Sequence, residues 1–183
     1  MSVKTANQKA HSRGFTLIEM MVTIAVAAIL VSLALPSFGG LMEKFRARRA
    51  TETMAASMYL AKSEAIKRNT PVRVVFTSSN SGATWCYGLT TGDTCTCTTA
   101  NSCKLDDAES VVTSTQFKGI SLANPATGSV FSFNPLRGTV NAGNVQFKSD
   151  KFGYQSRVVL SGFGRVTTCS AAGTGYLGGF KEC

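Results

Sequence analysis

The sequence predicts an α+β fold, in which one long N-terminal helix is followed by a strand-rich domain. An uncharged apolar run covers residues 20–35, and apolar residues at helical spacing continue the pattern to about residue 69. Short β-branched and aromatic runs, separated by turn residues, occupy the rest of the chain. We therefore expect the C-terminal half of the helix to pack on antiparallel β-sheets.

The first part of the helix carries one anomalous residue, Glu19. Residues 15–41 are long enough to span a bilayer core of ~30 Å. A carboxylate at that depth costs several kcal/mol, so it usually has a partner and a function there. Glu19 is therefore a candidate interface residue.

Three interpretations of this N-terminal segment compete. A cleaved signal peptide could end near Ser32-Leu33-Ala34, but Glu19 would then lie inside its apolar region and Pro36 just past the cut. An ordinary membrane anchor fits the length and leaves Glu19 unexplained. Cleavage between Gly14 and Phe15 retains the helix and creates an ammonium on Phe15. Glu19 of a neighbouring subunit can neutralise that ammonium and so fix the register of the two helices.

Residues 14–19, Gly-Phe-Thr-Leu-Ile-Glu, followed by an apolar helix, resemble the prepilin signal of type IV pilins and type II secretion pseudopilins. The resemblance implies that a membrane aspartyl protease, the prepilin peptidase, cleaves after Gly14 and methylates the new amine of Phe15. It also implies that Glu19 acts in subunit assembly. The basic residues before the cut suit a leader retained in the cytoplasm: Lys4, Lys9 and Arg13.

The predicted organisation is a leader at 1–14, a long helix at 15–70 and a globular domain at 71–183. Pro36 lacks a backbone donor and predicts a kink in the helix. The helix should end at Asn69, because Pro71 disfavours the α region in the residue before it. The apolar stripe expected to face the domain comprises Ala47, Ala50, Met54, Met58, Ala61 and Ala65.

The strands of the domain are predicted at 71–76, 85–89, 115–118, 130–134, 138–140, 145–148, 157–160 and 164–167. Three of their motifs resemble the group of pseudopilin H, FimT and FimU, and most closely its FimU-like members: Trp-Cys-Tyr-Gly-Leu at 85–89, Phe-Asn-Pro-Leu-Arg-Gly at 133–138 and Gly-Arg-Val at 164–166. This resemblance implies two packed β-sheets over the C-terminal half of the helix.

All six cysteines follow the membrane segment, which places them on the exported, periplasmic side: Cys86, Cys95, Cys97, Cys103, Cys169 and Cys183. An even number in an oxidising compartment favours three disulfides over a zinc site. The sequence cannot fix the connectivity. We expect Cys169 to pair with Cys183 and the other four cysteines to pair locally.

The composition argues against an enzyme. His11 is the only histidine and lies in the leader, so the mature chain cannot use a histidine-dependent nucleophile. The acidic residues of the cysteine-rich loop lack the ligand spacing of a helix-loop-helix calcium site and are interpreted as a solvated loop: Asp93, Asp106, Asp107 and Glu109. No cofactor, metal or small-molecule substrate is expected.

The resemblance implies a minor type IV pilin that helps prime pilus assembly and sits near the tip, with other minor pilins, the major pilin and prepilin peptidase as partners. Such a subunit is held in the inner membrane before assembly and lies at the cell surface afterwards. A pseudopilin of a type II secretion system is one alternative. Another is a FimT-like DNA receptor for natural transformation, using Arg165 and Lys181.

The second arginine of the Gly-Arg-x-Arg element of FimT-like members is missing, because Thr167 stands there. A net charge of +9 attracts phosphate without specificity, and a solvated basic domain explains the same charge without any DNA.

Overall fold

The computed structural model describes residues 14–124 and 129–183, without the side chains of residues 33–37 and 174. The chain divides into two units, Met1–Gly39 and Gly40–Cys183, and each is described by itself. Residues 1–13 of the predicted leader, with their basic side chains and His11, lie outside the described residues.

The N-terminal helix α1 runs from Leu17 to Arg68, close to the predicted bounds. It ends where Asn69 adopts a φ of 51°, a left-handed conformation common just after helices. Pro36 lies within α1, but its side chain is outside the description, so the kink stays a prediction. Among the described residues, no helix has a stretch that is long and apolar enough to cross a membrane.

The domain consists mainly of short strands that are separated by turns. They are β1 Val72–Ser79, β2 Thr84–Thr90, β3 Lys104–Leu105, β4 Ala108–Glu109, β5 Val111–Thr113, β6 Ile120–Asn124, β7 Val130–Phe133, β8 Gly143–Ser149, β9 Gln155–Leu160, β10 Val166–Ser170 and β11 Lys181–Glu182. The first sheet has the order β5-β2-β1-β7, and the second has the order β11-β10-β9-β8-β6. Strands β3 and β4 form a separate hairpin. Pairing is antiparallel except between β10 and β11, which are parallel.

The C-terminal half of α1 packs on both sheets, as expected of the α+β fold. The predicted stripe from Ala47 to Ala65 is buried, and it shares one apolar cluster with residues of both sheets. Polar contacts lie inside this interface. The hydroxyls of Thr51 and Ser156, on β9, are 2.6 Å apart, and those of Ser57 and Tyr87, on β2, are 3.0 Å apart.

Three predicted strands differ from the structure. Residues 115–118 do not form a strand, because Ser114 accepts a hydrogen bond from the backbone of Trp85 and starts a 3-10 turn, Ser114–Gln116. Residues 138–140 contribute only a single bridge between Val140 and Phe133. The last predicted strand begins at Val166, two residues late, because Gly164 is in a turn.

The outer edge of β7 is closed by a side chain. The amide oxygen of Asn141 accepts a hydrogen bond from the backbone of Ser132 at 2.9 Å, and its nitrogen donates to the carbonyl of Val130 at 2.9 Å. Asn141 therefore takes the place that a further strand would occupy at this edge of the first sheet.

Candidate functional site

The residues of the predicted processing site lie just before α1. Gly14 and Phe15 precede the helix and are exposed, with 76% of the Phe15 surface accessible. The backbone nitrogen of Glu19 donates to the hydroxyl of Thr16 at 3.3 Å, which caps the first turn. Thr16-Leu17-Ile18-Glu19 thus has the spacing of a capping box, a signal that the sequence analysis missed.

The carboxylate of Glu19 is exposed, and it forms no hydrogen bond or ion pair with any other residue that the structure describes. A negative charge in the first turn is stabilised by the helix dipole. The carboxylate is therefore both compatible with a stable helix start and available to a group from another molecule.

The helix surface around Glu19 is apolar. All described side chains at positions 14–32 are exposed, and many are large and hydrophobic: Phe15, Leu17, Ile18, Met20, Met21, Val22, Ile24, Val26, Ile29, Leu30 and Val31. A continuous apolar surface of this size marks a site of contact with a membrane or with other proteins.

The two residues named as DNA-binding candidates lie in one open groove on the second sheet. Arg165 and Lys181 both line it, together with Arg157. Cys169 on β10 is paired in register with Arg157 on β9 and with Lys181 on β11. Glu182 also lines the groove.

Arg157 is the groove residue that the sequence analysis did not single out. Its Nε is buried and has no hydrogen-bond partner among the described residues. A buried donor without a partner is uncommon in folded proteins and requires an explanation. The sequence signal was weak, because a cation at alternate strand positions is ordinary on a solvated sheet face.

The six cysteines form the three disulfides Cys86–Cys97, Cys95–Cys103 and Cys169–Cys183. The last is the pairing that we expected, and the other two are local. Cys169–Cys183 holds the C-terminal tail on β10 and forms part of the wall of the groove.

Three of the four acidic residues of the cysteine-rich loop form structural contacts. Asp93 pairs with Arg73 at 3.0 Å, and Glu109 accepts a hydrogen bond from the backbone of Asn101 at 2.7 Å. Asp106 pairs with Arg68 at the end of α1. The described residues contain no cluster of metal-ligating side chains.

The Arg68 guanidinium also contacts Glu64 at 2.6 Å, so it is shared by two carboxylates. Hydrogen bonding to Arg68 lowers the pKa of both Glu64 and Asp106 below their ordinary values. The same two contacts raise the pKa of Arg68. This cluster joins the C-terminus of α1 to the cysteine-rich loop.

Comparison with known families identifies both parts of the chain. Residues 9–35 match the prokaryotic N-terminal methylation motif, which includes Gly14, Phe15 and Glu19. Residues 50–164 match the family described as type II transport protein GspH. Comparisons with curated proteins and with solved structures give no match. Because the GspH match covers more than half of the chain, the protein belongs to this family and is a pilin-like minor pilin or pseudopilin of the GspH/FimT/FimU group.

Proposed function

We propose that the protein is a minor type IV pilin, a structural subunit that helps prime pilus assembly and sits near the tip. Family membership implies processing by prepilin peptidase and assembly with other pilins. The observation that carries the proposal is the combination of an exposed apolar helix with a carboxylate at Glu19 that has no partner among the described residues.

In this proposal residues 15–41 hold the precursor in the inner membrane, with the domain in the periplasm. Cleavage between Gly14 and Phe15 produces an ammonium that is methylated and remains positively charged. Glu19 of an adjacent subunit pairs with that ammonium when the helices pack in the filament. Within an apolar environment the pair aligns the helices, since a shifted register leaves both charges unpaired.

The test is incorporation of Glu19 variants into sheared filaments. Glu19→Gln retains a polar side chain at the last position of the capping box and removes the negative charge. We therefore expect normal cleavage of the precursor and poor incorporation into filaments. Thr16→Ala is the matched control, because it removes the cap contact and retains the carboxylate. Normal incorporation of Glu19→Gln, or equal defects in both variants, would contradict the charge pairing.

A second candidate function is DNA binding during natural transformation. It is favoured by the groove in which Arg157, Arg165 and Lys181 lie together, where the Nε of Arg157 has no hydrogen-bond partner in the described part of the chain. Cationic side chains in a groove bind phosphates with strong salt dependence. Glu182 in the same groove and the missing second arginine of the FimT-like element weigh against this function.

The DNA hypothesis predicts that the double variant Arg165→Ala, Lys181→Ala loses DNA binding and uptake while pili still assemble. Arg49→Ala, at an exposed position on α1, controls for a general loss of positive charge. Unchanged uptake by the double variant would exclude the groove as the DNA site.

A third candidate is a pseudopilin of a type II secretion system, which the description of the matched family favours. The fold would be the same and the assembly different. A deletion strain decides between the two: loss of pili and twitching supports the pilus, whereas retained pili with loss of secreted enzymes supports secretion.

A further inference from the structure

Two adjacent turns of the domain carry its most exposed hydrophobic side chains. We define the turn pair as residues 134–138 and 161–165. Leu136 is 81% exposed and Phe163 is 86% exposed, the highest values for large hydrophobic residues in the described part of the chain. Neither side chain contributes to the core of the domain.

Each turn is held rigidly by its own hydrogen bonds. The side-chain oxygen of Asn134 accepts from the backbone of Leu136 at 2.9 Å, and the Asn134 carbonyl accepts from Gly138 at 2.9 Å. In the second turn, Ser161 accepts from the backbone of Gly164 at 2.8 Å and of Arg165 at 3.2 Å. The exposed tips are therefore fixed in place by ordered backbone.

The two turns also support each other and rest on α1. The backbone of Val140, just after the first turn, donates to the carbonyl of Gly162 at 3.1 Å. Gly164 has a φ of +70°, and a Cβ at this position would overlap the carbonyl oxygen of Gly138. Lys62 of α1 donates to the carbonyl of Gly164 at 3.0 Å. The backbones of the two turns are thus held in a fixed arrangement relative to each other.

Rigid apolar tips are suited to binding a protein pocket. A backbone that is already ordered loses little conformational entropy on binding, and large hydrophobic anchors of this kind dominate interface energies. A single-stranded nucleic acid is a poorer fit, because Leu136 offers no aromatic face on which a base could stack.

The charge around the tips indicates the chemistry of the partner. Arg137 and Arg165 are exposed beside Leu136 and Phe163, and neither guanidinium forms an ion pair with another residue that the structure describes. The full chain carries +9, and removal of Lys4, Lys9 and Arg13 with the leader leaves 9 − 3 = +6, so a second copy would on average be repelled. A surface with carboxylates at its rim would be attracted.

We propose that the turn pair is the docking surface for a different protein subunit, one that presents an apolar pocket rimmed by carboxylates. Leu136 and Phe163 fill the pocket, and Arg137 and Arg165 pair with the rim. The identification of the partner as another subunit of the same assembly rests on the proposed function.

The test uses the full-length protein in cells that assemble the filament, with the photo-crosslinking residue p-benzoylphenylalanine at position 163 or 136. Position 152 is the control, since Phe152 is also an exposed aromatic residue of the domain, at 43%. We expect one defined protein adduct from the turn pair that is not obtained from position 152. The crosslinked segment should contain apolar residues flanked by Asp or Glu.

Charge reversal then tests the rim. Arg137→Glu with Arg165→Glu should lower the adduct yield by about tenfold or more, as expected for loss of hot-spot pairs. Reversing the carboxylates of the crosslinked segment should restore it. An unchanged thermal unfolding midpoint shows that the variant is folded, since both arginines are at the surface.

An adduct with a second copy, with lipid or with nucleic acid overturns the proposal, and so does the lack of an adduct in cells that assemble filaments. The same is true if charge reversal has no effect on the yield. Sheared filaments are assayed in parallel for the protein. If the adduct forms and the protein is not found in filaments, the proposed function fails while the docking surface stands.

Discussion

Glu43 on α1 accepts a hydrogen bond from the hydroxyl of Ser149 at the end of β8, and both residues are buried. The same carboxylate oxygen accepts the backbone N–H of Lys151 at 3.2 Å. One acidic side chain therefore satisfies two donors of the loop that follows β8. It fastens that loop to the helix near Gly40, the first residue of the domain unit.

Glu43→Ala should destabilise the domain by about 1–3 kcal/mol, because it removes the acceptor of the buried Ser149 hydroxyl and of the part-buried N–H of Lys151. Glu43→Gln retains an acceptor and should lose less. The measurement is urea unfolding of the full-length protein in detergent.

Glu52→Ala is the matched control on the same helix. Its partner Arg48 is at 2.7 Å and both side chains are about half exposed, so the loss should be roughly 0–1 kcal/mol. Equal losses for Glu43→Ala and Glu52→Ala would contradict the role of Glu43.

The cluster of Arg68, Glu64 and Asp106 should make the stability of the domain depend on acid pH. The pKa of each carboxyl is lowered in the folded state by the bond to Arg68, so each stabilises the fold above its unfolded pKa. That stabilisation is lost as the pH falls through the lower, folded pKa. Unfolding measured from neutral pH to roughly pH 2–3 should show this decrease, and Arg68→Gln should reduce its slope. A variant with the same acid profile as the parent would show that the cluster contributes nothing.

Tyr87 should ionise later than an exposed tyrosine. Burial raises the pKa of its hydroxyl to about 12, and the hydrogen bond with Ser57 opposes this shift only in part. The folded state therefore keeps a proton that the unfolded chain releases near pH ~10, so stability should fall between pH ~10 and ~12. Ultraviolet titration should show one tyrosine that ionises at a higher pH than the others, and Tyr87→Phe should remove this late group from the titration curve. If Tyr87→Phe leaves the late group in place, another of the four tyrosines is responsible.

Replacing both Cys169 and Cys183 by serine should destabilise the domain by about 3 kcal/mol, the value for a closed loop of ~15 residues. The sequence separation of this disulfide is 14. Limited proteolysis should then cut the tail between Ala171 and Lys181 more readily, because β11 has only two residues to hold it. An unchanged unfolding midpoint together with an intact tail would show that the parallel pairing with β10 is sufficient.

The helix could be predicted from sequence because its signals are local. The stripe from Ala47 to Ala65 repeats at helical spacing, and Pro71 marks the end of the pattern. The long strands β1, β2, β8 and β9 were also expected, since their β-branched and aromatic runs are bounded by turn residues.

The sheet register and the site contacts could not be predicted, because they join residues that are distant in sequence. Arg157 and Lys181 both flank Cys169 only because β9 and β11 pair on either side of β10. The short strands β3, β4 and β11 carry no periodic signal at all. A 3-10 turn replaces the strand predicted at residues 115–118. Its first residue, Ser114, accepts a hydrogen bond from the backbone of Trp85, which lies 29 positions earlier in the chain.

The amide of Asn141 has a consequence for how molecules of this protein can associate. A free sheet edge offers a template on which strands of other molecules can add, and such growth leads to aggregates. The side chain of Asn141 is hydrogen-bonded to the carbonyl of Val130 and to the N–H of Ser132. These backbone groups at the edge of β7 are therefore not free to pair with a strand of another molecule. Association of two molecules through β7 is therefore disfavoured. A single side chain thus protects this edge of the first sheet against the addition of a foreign strand.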